Sequence, residues 1–212
     1  MRGALLTFEG VEGSGKSTQV RLLADWLREQ KLEVVLSREP GGTEIGERIR
    51  EVLLDPACRD MDGRTELFLY LASRNQHVRE KLLPAIQRGA VVVLDRYAES
   101  SLAYQGGGRE LGLKVVSRLN KLATAGLRPD LTVLVDLPVE VGRRRKDRAL
   151  LDRLEQERVE FHQRVRDCYL QLARRAPKRV RVVDGTKPAV ELQVEVRGLV
   201  TELLKRKGFF KQ

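Results

Sequence analysis

Long apolar runs and cysteines are both scarce in this chain. Only two of its 212 residues are cysteines, Cys58 and Cys168, and they show no metal-ligand spacing, which argues against a disulfide framework or a cysteine-based metal site. No apolar run approaches the roughly 18 residues of a transmembrane helix, so we expect no membrane partner. Glu9 and Glu12 closely follow the first apolar run, a layout that does not resemble a secretory signal. We therefore expect a cytoplasmic protein with reduced thiols.

Sequence signatures of nucleic-acid binding are missing as well. There is no basic region followed by heptads, no RNA-binding aromatic pair and no paired Cys/His finger. The net charge is nevertheless +10, from 40 basic and 30 acidic side chains. Such a charge fits either a nucleic acid or a site that gathers two phosphorylated substrates. Several basic residues fall at predicted strand ends and in one arginine-rich segment, which favours the second interpretation.

The most informative motif follows the first apolar run and fits the phosphate-binding pattern G-x-x-x-x-G-K-[ST]. Its glycines let the backbone direct N–H groups at phosphate oxygens, and the following helix adds positive potential at its N-terminus. The lysine can reach the β- and γ-phosphates, and the first hydroxyl can bind Mg²⁺. The motif consists of Gly10, Val11, Glu12, Gly13, Ser14, Gly15, Lys16, Ser17 and Thr18.

Strand-like runs alternate with segments of helical periodicity along the whole chain. This alternation predicts an α/β fold of three layers, in which helices flank a five-stranded parallel sheet, within one P-loop NTPase domain over residues 1–212. Ligands of such sheets lie at the carboxyl ends of the strands. The tail Lys205–Gln212 is predicted to be a frayed, solvated end. The predicted strands are Ala4–Phe8, Glu33–Ser37, Ala90–Leu94, Leu131–Asp136 and Val180–Val183.

Charged residues follow the second and third predicted strands. Arg38 precedes Pro40 and two glycines, a stiff turn that presents a fork-shaped donor suited to a second phosphate. A surface turn with a salt bridge is the alternative. Asp95 stands where related nucleotide-binding folds place the carboxylate that holds Mg²⁺, and Arg96 beside it can bridge two phosphates. An ion pair that caps the strand is the alternative here.

Two further groups of side chains suit a sugar and a base. If the segment after Tyr97 is helical, Ser101, Tyr104 and Gln105 share one face, and the run Gly106–Gly108 then breaks the helix. Tyr70 and Arg74 form an i, i+4 pair that can stack on a pyrimidine and donate to its carbonyl. The alternatives are an ordinary surface for the first group and a buried tyrosine with a structural arginine for the second.

The segment after the fourth strand is dense in arginine. A mobile basic lid over residues 142–154 would exclude water and neutralise charge at a transferring phosphoryl group. Arg144 and Arg148 would share a helix face in it. The alternative is a solvated face with i, i+4 pairs such as Arg148 with Asp152.

In combination, these motifs resemble the bacterial-type thymidylate kinases. The resemblance covers nearly the whole chain, in order, on the stretches Phe8–Gly10, Arg38–Thr43, Tyr70–Arg74, Asp95–Tyr97, Ser100–Gly106 and Asp152–Glu155. It implies a cytoplasmic homodimer that transfers a phosphoryl group from Mg·ATP to dTMP.

The resemblance also implies a role for each matching residue. The loop Gly10–Thr18, Arg143 and Asp184 would hold ATP, Ser17 and Asp95 would hold Mg²⁺, and Glu12 would accept a hydrogen bond from the 3′-hydroxyl of dTMP. Arg38 and Arg96 would bind the phosphate of dTMP, and Tyr104 would lie under its deoxyribose. The other implied substrate contacts are Pro40, Tyr70, Arg74, Ser100, Ser101 and Gln105. The implied catalytic residues are Lys16, Asp95, Arg96, Arg148 and Arg153.

Two departures from the family pattern are informative. The loop has Gly13 and Ser14 where some relatives carry an arginine, so the catalytic arginine is expected to come from the lid, whose register allows more than one candidate. Tyr70 replaces the usual phenylalanine. Three alternatives remain: a kinase of another nucleotide or a deoxynucleoside, a non-enzymatic P-loop switch, and a basic nucleic-acid-binding ATPase.

Overall fold

The computed structural model describes residues 2–147 and 151–210. Its strands are all parallel and lie in one sheet with the order β2-β3-β1-β4-β5. The predicted five-stranded parallel sheet is confirmed, and the predicted strand ends differ from the observed ones by at most one residue. The strands are β1 (Ala4–Glu9), β2 (Val34–Arg38), β3 (Val91–Asp95), β4 (Leu131–Asp136) and β5 (Val180–Asp184).

Helices connect the strands and cover both faces of the sheet. None of the helices in the described part of the chain is long and apolar enough to cross a bilayer. A π-helical segment, Val78–Leu82, joins α3 to α4, and another, Leu102–Gly108, continues α5. A short 3₁₀ turn covers Pro56–Cys58. The α-helices are α1 (Lys16–Glu29), α2 (Glu44–Leu54), α3 (Gly63–His77), α4 (Leu83–Gln87), α5 (Ala98–Ser101), α6 (Leu113–Ala123), α7 (Val139–Arg144), α8 (Val159–Arg175) and α9 (Ala189–Arg206).

The apolar strands fill two core layers because alternate side chains point to opposite faces. Leu6 and Phe8 of β1 pack with α1 and α9 on one face. Leu5 of β1 packs with the segment that contains Val78 and Leu82 on the other. Strands buried on both faces lose the polar alternation of a half-exposed strand, which accounts for the continuous apolar runs in the sequence.

The strand register gathers polar residues at one edge of the sheet. Phe8 and Arg38 are both paired with Asp95, and Asp136 is paired with Asp184. The carboxyl ends of β1, β2 and β3 therefore lie side by side, next to the loop that follows β1. This edge is where a parallel α/β sheet binds its ligands.

The prediction that the glycine run breaks the helix is wrong. The chain stays helical through Leu102–Gly108, in π form. The glycines instead let α8 approach closely, since a Cβ on Gly107 would lie 2.8 Å from Cβ of Cys168, and a Cβ on Gly108 would lie 2.6 Å from the ring of Phe161.

The prediction of a solvated tail is also wrong over the described residues. Helix α9 continues to Arg206, and Lys207 forms an ion pair with Asp130 at 2.7 Å. Phe209 and Phe210 are half-buried against the core, with the ring of Phe210 6.4 Å from that of Trp26. Burial of these two rings stabilises an end whose charges alone suggest fraying.

Candidate functional site

The glycines of the loop between β1 and α1 adopt backbone conformations that other residues rarely take. Gly10, Gly13 and Gly15 have φ values of 139°, 71° and 92°. A Cβ on Gly10 would lie 2.3 Å from the carbonyl oxygen of Val135, so no side chain fits there. Because α1 begins directly after Gly15, the first N–H groups of the helix are directed at the loop. The loop has the shape that phosphate binding by backbone groups requires.

Lys16 lies buried beneath this loop. Its ammonium donates to the carbonyl of Val11 at 2.7 Å and to the hydroxyl of Ser14 at 3.3 Å. Burial, together with repulsion from Arg96, lowers the pKa of Lys16 to about 8. The lysine is thus held at the start of α1, ready to exchange these neutral partners for an anion.

Ser17 and Asp95, the two residues predicted to hold a metal ion, are adjacent. The hydroxyl of Ser17 donates a hydrogen bond to the carboxylate of Asp95. Mg²⁺ prefers hard oxygen ligands and takes few of them from the protein, since waters and substrate phosphates complete its shell. One hydroxyl and one carboxylate fit this pattern. Within the described residues, no group of three or more His, Cys, Asp or Glu side chains could hold a metal by itself.

A cleft of about 980 Å³ runs along the loop and is rich in cations. A cleft of one charge sign concentrates ligands of the opposite sign, here multiply charged phosphates. Arg38 lies at its exposed rim, where its guanidinium forms an ion pair with Glu47 at 2.8 Å. The cationic side chains of the cleft include Lys16, Arg38, Arg50, Arg96, Arg145 and Lys146.

A second cavity, of about 510 Å³, adjoins this cleft. Aromatic rings and charged side chains line it together, as a site for a phosphorylated organic ligand requires. Five residues line both spaces: Glu12, Glu39, Arg50, Arg96 and Asp152. Of the predicted substrate contacts, the cavity brings together Glu12, Pro40, Tyr70, Arg74, Arg96, Ser100, Tyr104 and Gln105.

Arg96 stands where the cleft and the cavity meet. It has a φ of 70°, a strained left-handed conformation for a residue other than glycine. Its guanidinium donates to Glu12 at 2.7 Å and to the carbonyl of Gly10 at 3.1 Å, and it lies 5.0 Å from the ring centre of Tyr104. These contacts hold the strained residue at the junction of the two spaces.

Glu12 is the acid inside the phosphate loop, and its partners lie on the cavity side. The carboxylate accepts from the hydroxyl of Tyr104 at 2.6 Å as well as from Arg96. Burial raises the pKa of Glu12, but the charges of Arg96 and Lys16 outweigh it, so the pKa lies below its usual value. Glu12 therefore remains an anionic acceptor that faces the second cavity.

Arg74 is buried and performs a structural task as well as lining the cavity. Its guanidinium donates to Glu39 at 2.6 Å, to Ser101 at 2.7 Å, to Asn120 at 2.6 Å and to the carbonyl of Tyr97 at 2.9 Å. These bonds use four of its five N–H groups within the described residues. The structural arginine that the sequence left open is therefore present, with one N–H group remaining for a ligand.

The three polar residues predicted on the α5 segment have different neighbours. Ser101 accepts from Arg74 and is not among the residues that line the cavity. Gln105 lines the cavity and donates to Glu66 at 2.9 Å. Ser100 also lines it, and its hydroxyl donates to the buried Glu9 at 2.6 Å.

The arginine-rich segment contributes to the cleft through a residue that sequence reasoning did not select. Helix α7 ends at Arg144. Arg145 then donates to the carbonyls of Gly13 at 3.1 Å and Gly185 at 3.2 Å, and so joins the phosphate loop to the loop after β5. Arg143 donates to the carbonyl of Glu157 and lines a further cavity between α7 and α8, which shares Glu12, Lys146 and Glu155 with the cleft. Arg148, predicted as catalytic, lies outside the described residues.

Arg153, predicted to act from the lid, does not line the cleft or the cavity in this structure. Its side chain is buried, donates to the carbonyl of Leu53 at 2.9 Å, and forms an ion pair with Glu66 at 2.7 Å. Its anionic partner in this structure is thus a carboxylate of α3. Arg153 anchors its segment to α2 and α3.

Asp184, predicted near the adenine, shapes the loop after β5. Its carboxylate accepts from the backbone N–H of Thr186 at 2.9 Å and from its hydroxyl at 2.7 Å, and these bonds lower the pKa of Asp184. The side chain is exposed and does not line the cleft. Its neighbour Gly185 is the residue that meets Arg145.

Arg50 and Glu39 also line both spaces and were not singled out from the sequence. Arg50 donates to the carbonyl of Pro40 at 2.9 Å. The position of Arg50 one or two turns into an amphipathic helix gives no local sign of a ligand. Glu39 belongs to the turn Arg38–Thr43, which the sequence does mark. Its contact with Arg74 could not be predicted, because Arg74 lies on α3.

Comparison with known proteins agrees with this geometry. The family model described as thymidylate kinase matches residues 8–196. The chain is 50% identical to the thymidylate kinase of Carboxydothermus hydrogenoformans, over 96% of this chain and 99% of that protein. It is 48% identical to that of Symbiobacterium thermophilum, over 95% and 94% of the two chains. The crystal structure of thymidylate kinase from Ehrlichia chaffeensis superposes with a TM-score of 0.78 at 30% identity and covers 95% of this chain and 99% of that one. On this evidence the chain belongs to the thymidylate kinase family.

Proposed function

We propose that the protein transfers the γ-phosphoryl group of ATP to dTMP and releases dTDP and ADP. The observation that carries the proposal is the junction of the two spaces at Arg96: one begins at the phosphate loop, and the other suits a nucleotide. A P-loop switch that binds a single nucleotide has no use for the second. Membership of the thymidylate kinase family supports the choice of substrates.

In this proposal the phosphate loop and Lys16 bind the triphosphate. Ser17 and Asp95 hold Mg²⁺, which would neutralise charge on the β- and γ-phosphates when bound. Arg145 joins the phosphate loop to the loop that carries Asp184, and we assign the ATP base to this side of the cleft.

The monophosphate occupies the second cavity. Its phosphate lies against Arg96 and Arg50, with Arg38 at the rim, and its base stacks on Tyr70 and meets Gln105 and Arg74. Glu12 accepts a hydrogen bond from the 3′-hydroxyl. Ser101 acts through Arg74 rather than by direct contact, since its hydroxyl accepts from that guanidinium.

The chemistry requires no general base. The acceptor phosphate is largely dianionic at neutral pH, because its second pKa is about 6. One of its oxygens attacks the γ-phosphorus, the bond to the bridging β–γ oxygen breaks, and the electron pair leaves with ADP. The chain contributes alignment and positive charge, the main sources of catalysis in phosphoryl transfer. Arg96 lies where both phosphates can be reached.

We further propose that residues 142–154 form a lid that closes over ATP. In the described part of that segment, Arg145 and Lys146 line the cleft, whereas Arg153 holds the base of the lid to Glu66. Arg148 remains a candidate for the arginine that contacts the transferring group.

The proposal includes a homodimer in the cytoplasm. Large apolar side chains are exposed on α2, α3 and α6, three helices that pack side by side. Phe68 is 58% exposed and Leu122 is 78% exposed. We assign these helices to the interface, where a second copy of the chain would cover their exposed apolar side chains.

The decisive experiment is an ADP-release assay across the common nucleoside monophosphates, with Mg·ATP as donor. We expect a clear preference for dTMP over UMP, CMP, AMP and GMP, and Lys16→Ala should abolish turnover of every acceptor. Equal rates for several acceptors would replace the substrate assignment by another monophosphate kinase. ATP hydrolysis that needs DNA instead of an acceptor would favour the nucleic-acid-dependent ATPase.

A further inference from the structure

A buried acid lies directly below Arg96, at the last position of β1. Glu9 is 0% exposed. One carboxylate oxygen accepts from the backbone N–H of Tyr97 at 2.8 Å. The other accepts from the hydroxyls of Ser100 at 2.6 Å and Tyr169 at 2.8 Å. Glu9 thus joins the end of the central strand to α5 and α8.

The two hydroxyls that bind Glu9 also meet Arg96. Nη1 of Arg96 donates to Ser100 at 3.3 Å and to Tyr169 at 3.2 Å. A hydroxyl has one hydrogen to donate and two lone pairs to accept with. When Ser100 and Tyr169 both donate to Glu9, only their lone pairs are left for Arg96. An ionised Glu9 therefore converts two neutral hydroxyls into fixed acceptors for the guanidinium.

The opposite end of the guanidinium is held by a different acid. Nη2 of Arg96 donates to Glu12 at 2.7 Å and to Tyr104 at 3.2 Å. In the proposed complex Glu12 also accepts a hydrogen bond from the 3′-hydroxyl of the substrate. Its carboxylate is therefore divided between the substrate and Arg96. The Nη1 side, in contrast, meets the two hydroxyls that bind Glu9 and the carbonyl of Gly10.

We propose that Glu9 is a positioning residue for phosphoryl transfer. Through the hydroxyls of Ser100 and Tyr169, it fixes the guanidinium of Arg96 at the junction of the two nucleotide sites. Glu9 touches neither substrate. This inference rests on the proposed function, because it assigns Arg96 to the phosphates.

Glu9→Gln and Tyr169→Phe test the proposal, since each breaks one link and keeps the shape of the side chain. Steady-state kinetics of both variants should show kcat/KM for dTMP lower by roughly 10- to 100-fold, the cost of misplacing a catalytic group. The KM for ATP should stay unchanged in Tyr169→Phe, because the hydroxyl of Tyr169 meets Arg96, Ser100 and Glu9 rather than the phosphate loop. In the double variant the losses should combine to less than their product, because both substitutions act on Arg96.

A matched control separates positioning from general loss of stability. Asp130 accepts a hydrogen bond from the backbone N–H of Leu5. Leu5 lies near the start of β1, whereas Glu9 and Arg96 lie at the other end of that strand. Asp130→Asn should lower the melting temperature and leave kcat/KM for dTMP unchanged. If Glu9→Gln does not fold, the value of kcat/KM for dTMP in Tyr169→Phe tests the proposal by itself.

The outcomes distinguish this inference from the proposed function. A wild-type protein without activity on dTMP would contradict both. An active wild type with full kcat/KM in Tyr169→Phe would overturn the role of Glu9 alone. Equal increases in the KM for ATP and for dTMP, or fully multiplicative losses in the double variant, would also overturn it and leave a structural role.

Discussion

At the residue scale, the site depends on where a few charges are held. Arg96 combines a strained backbone with contacts to Glu12, Tyr104 and the phosphate loop. Strain of this kind persists where the surrounding structure enforces it, most often at functional sites. The neighbouring acids keep the guanidinium in place before the substrates arrive, so less ordering is needed at the moment of reaction.

Arg96→Ala should lower kcat by roughly 10³-fold, in the range known for arginines that stabilise phosphoryl transfer. The KM for ATP should change far less than kcat, since the phosphate loop and Lys16 are assigned to bind the triphosphate. Steady-state kinetics with each substrate varied in turn would measure both constants. Arg174→Ala, at an exposed position of α8, is the matched control and should behave as the wild type. Near-normal turnover of Arg96→Ala would contradict the assigned role.

The affinity for ATP should fall as the pH rises through about 8. The pKa of Lys16 is lowered to about 8 by burial, so the free protein loses this positive charge above that pH. Titration calorimetry between pH 7.5 and 9.5 would give the dissociation constants. Lys16→Arg stays protonated over this range and should show a flatter profile. A pH-independent wild-type affinity would show that Lys16 remains charged throughout.

Glu9 should make the folded protein less stable as the pH rises from about 4.5 to about 7. Burial, reinforced by repulsion from Glu99, raises the pKa of Glu9 from 4.5 to about 7. In this window the folded state holds a proton that the unfolded state has released, so stability falls by up to about 1.4 kcal/mol per pH unit. Urea unfolding of the wild type and of Glu9→Gln would isolate the effect. The difference in unfolding free energy between the two should shrink as the pH rises, and a constant difference would contradict it.

At the scale of elements, the close contact between the π segment Leu102–Gly108 and α8 shapes the side of the second cavity that holds Tyr104. Tyr104 comes from the first element, and Tyr169 comes from the second. Their rings meet edge to face at 6.3 Å. The glycines at the end of the segment allow this approach because they have no side chain to separate the two elements.

Gly107→Ala should therefore destabilise the protein by roughly 1–3 kcal/mol, the usual cost of overpacking. The added methyl group would lie 2.8 Å from Cβ of Cys168, a backbone-proximal atom that cannot move alone. Gly198→Ala in α9 is the matched control, because nothing lies within 4 Å of its added Cβ. That variant should gain about 0.5–1 kcal/mol from helix propensity. Chemical denaturation measures both, and equal effects of the two substitutions would refute the packing argument.

At the scale of the whole molecule, the apolar surface of α2, α3 and α6 predicts the assembly. Phe68→Arg should shift the protein from dimer to monomer, because a buried unpaired charge at an interface costs several kcal/mol. Light scattering coupled to size-exclusion chromatography would measure the mass. Val190→Arg, at an exposed position of α9, is the control and should leave the mass unchanged. A wild-type monomer at micromolar concentration would contradict the proposed homodimer.

The arginine-rich segment shows where sequence reasoning stops. The sequence gives no local reason to prefer Arg145 over Arg143 or Arg153, since all three are arginines of one basic segment. The direction of each side chain depends on acceptors in other elements. Arg143 meets Glu157, and Arg145 meets Gly13 and Gly185. Arg153 meets Glu66. No local pattern encodes which carboxylate or carbonyl a flexible side chain will meet.

The sequence by itself determined the glycine-rich loop, the parallel sheet and the sheet edge at which the polar residues gather. These features depend on local physics: glycine conformations, a helix start, and apolar strands that alternate with amphipathic helices. Only the tertiary structure decided the side-chain partners, such as Glu9 beneath Arg96 and Arg74 on Glu39. Those pairs join residues that are distant along the chain, and burial makes their electrostatic contacts strong enough to fix their direction.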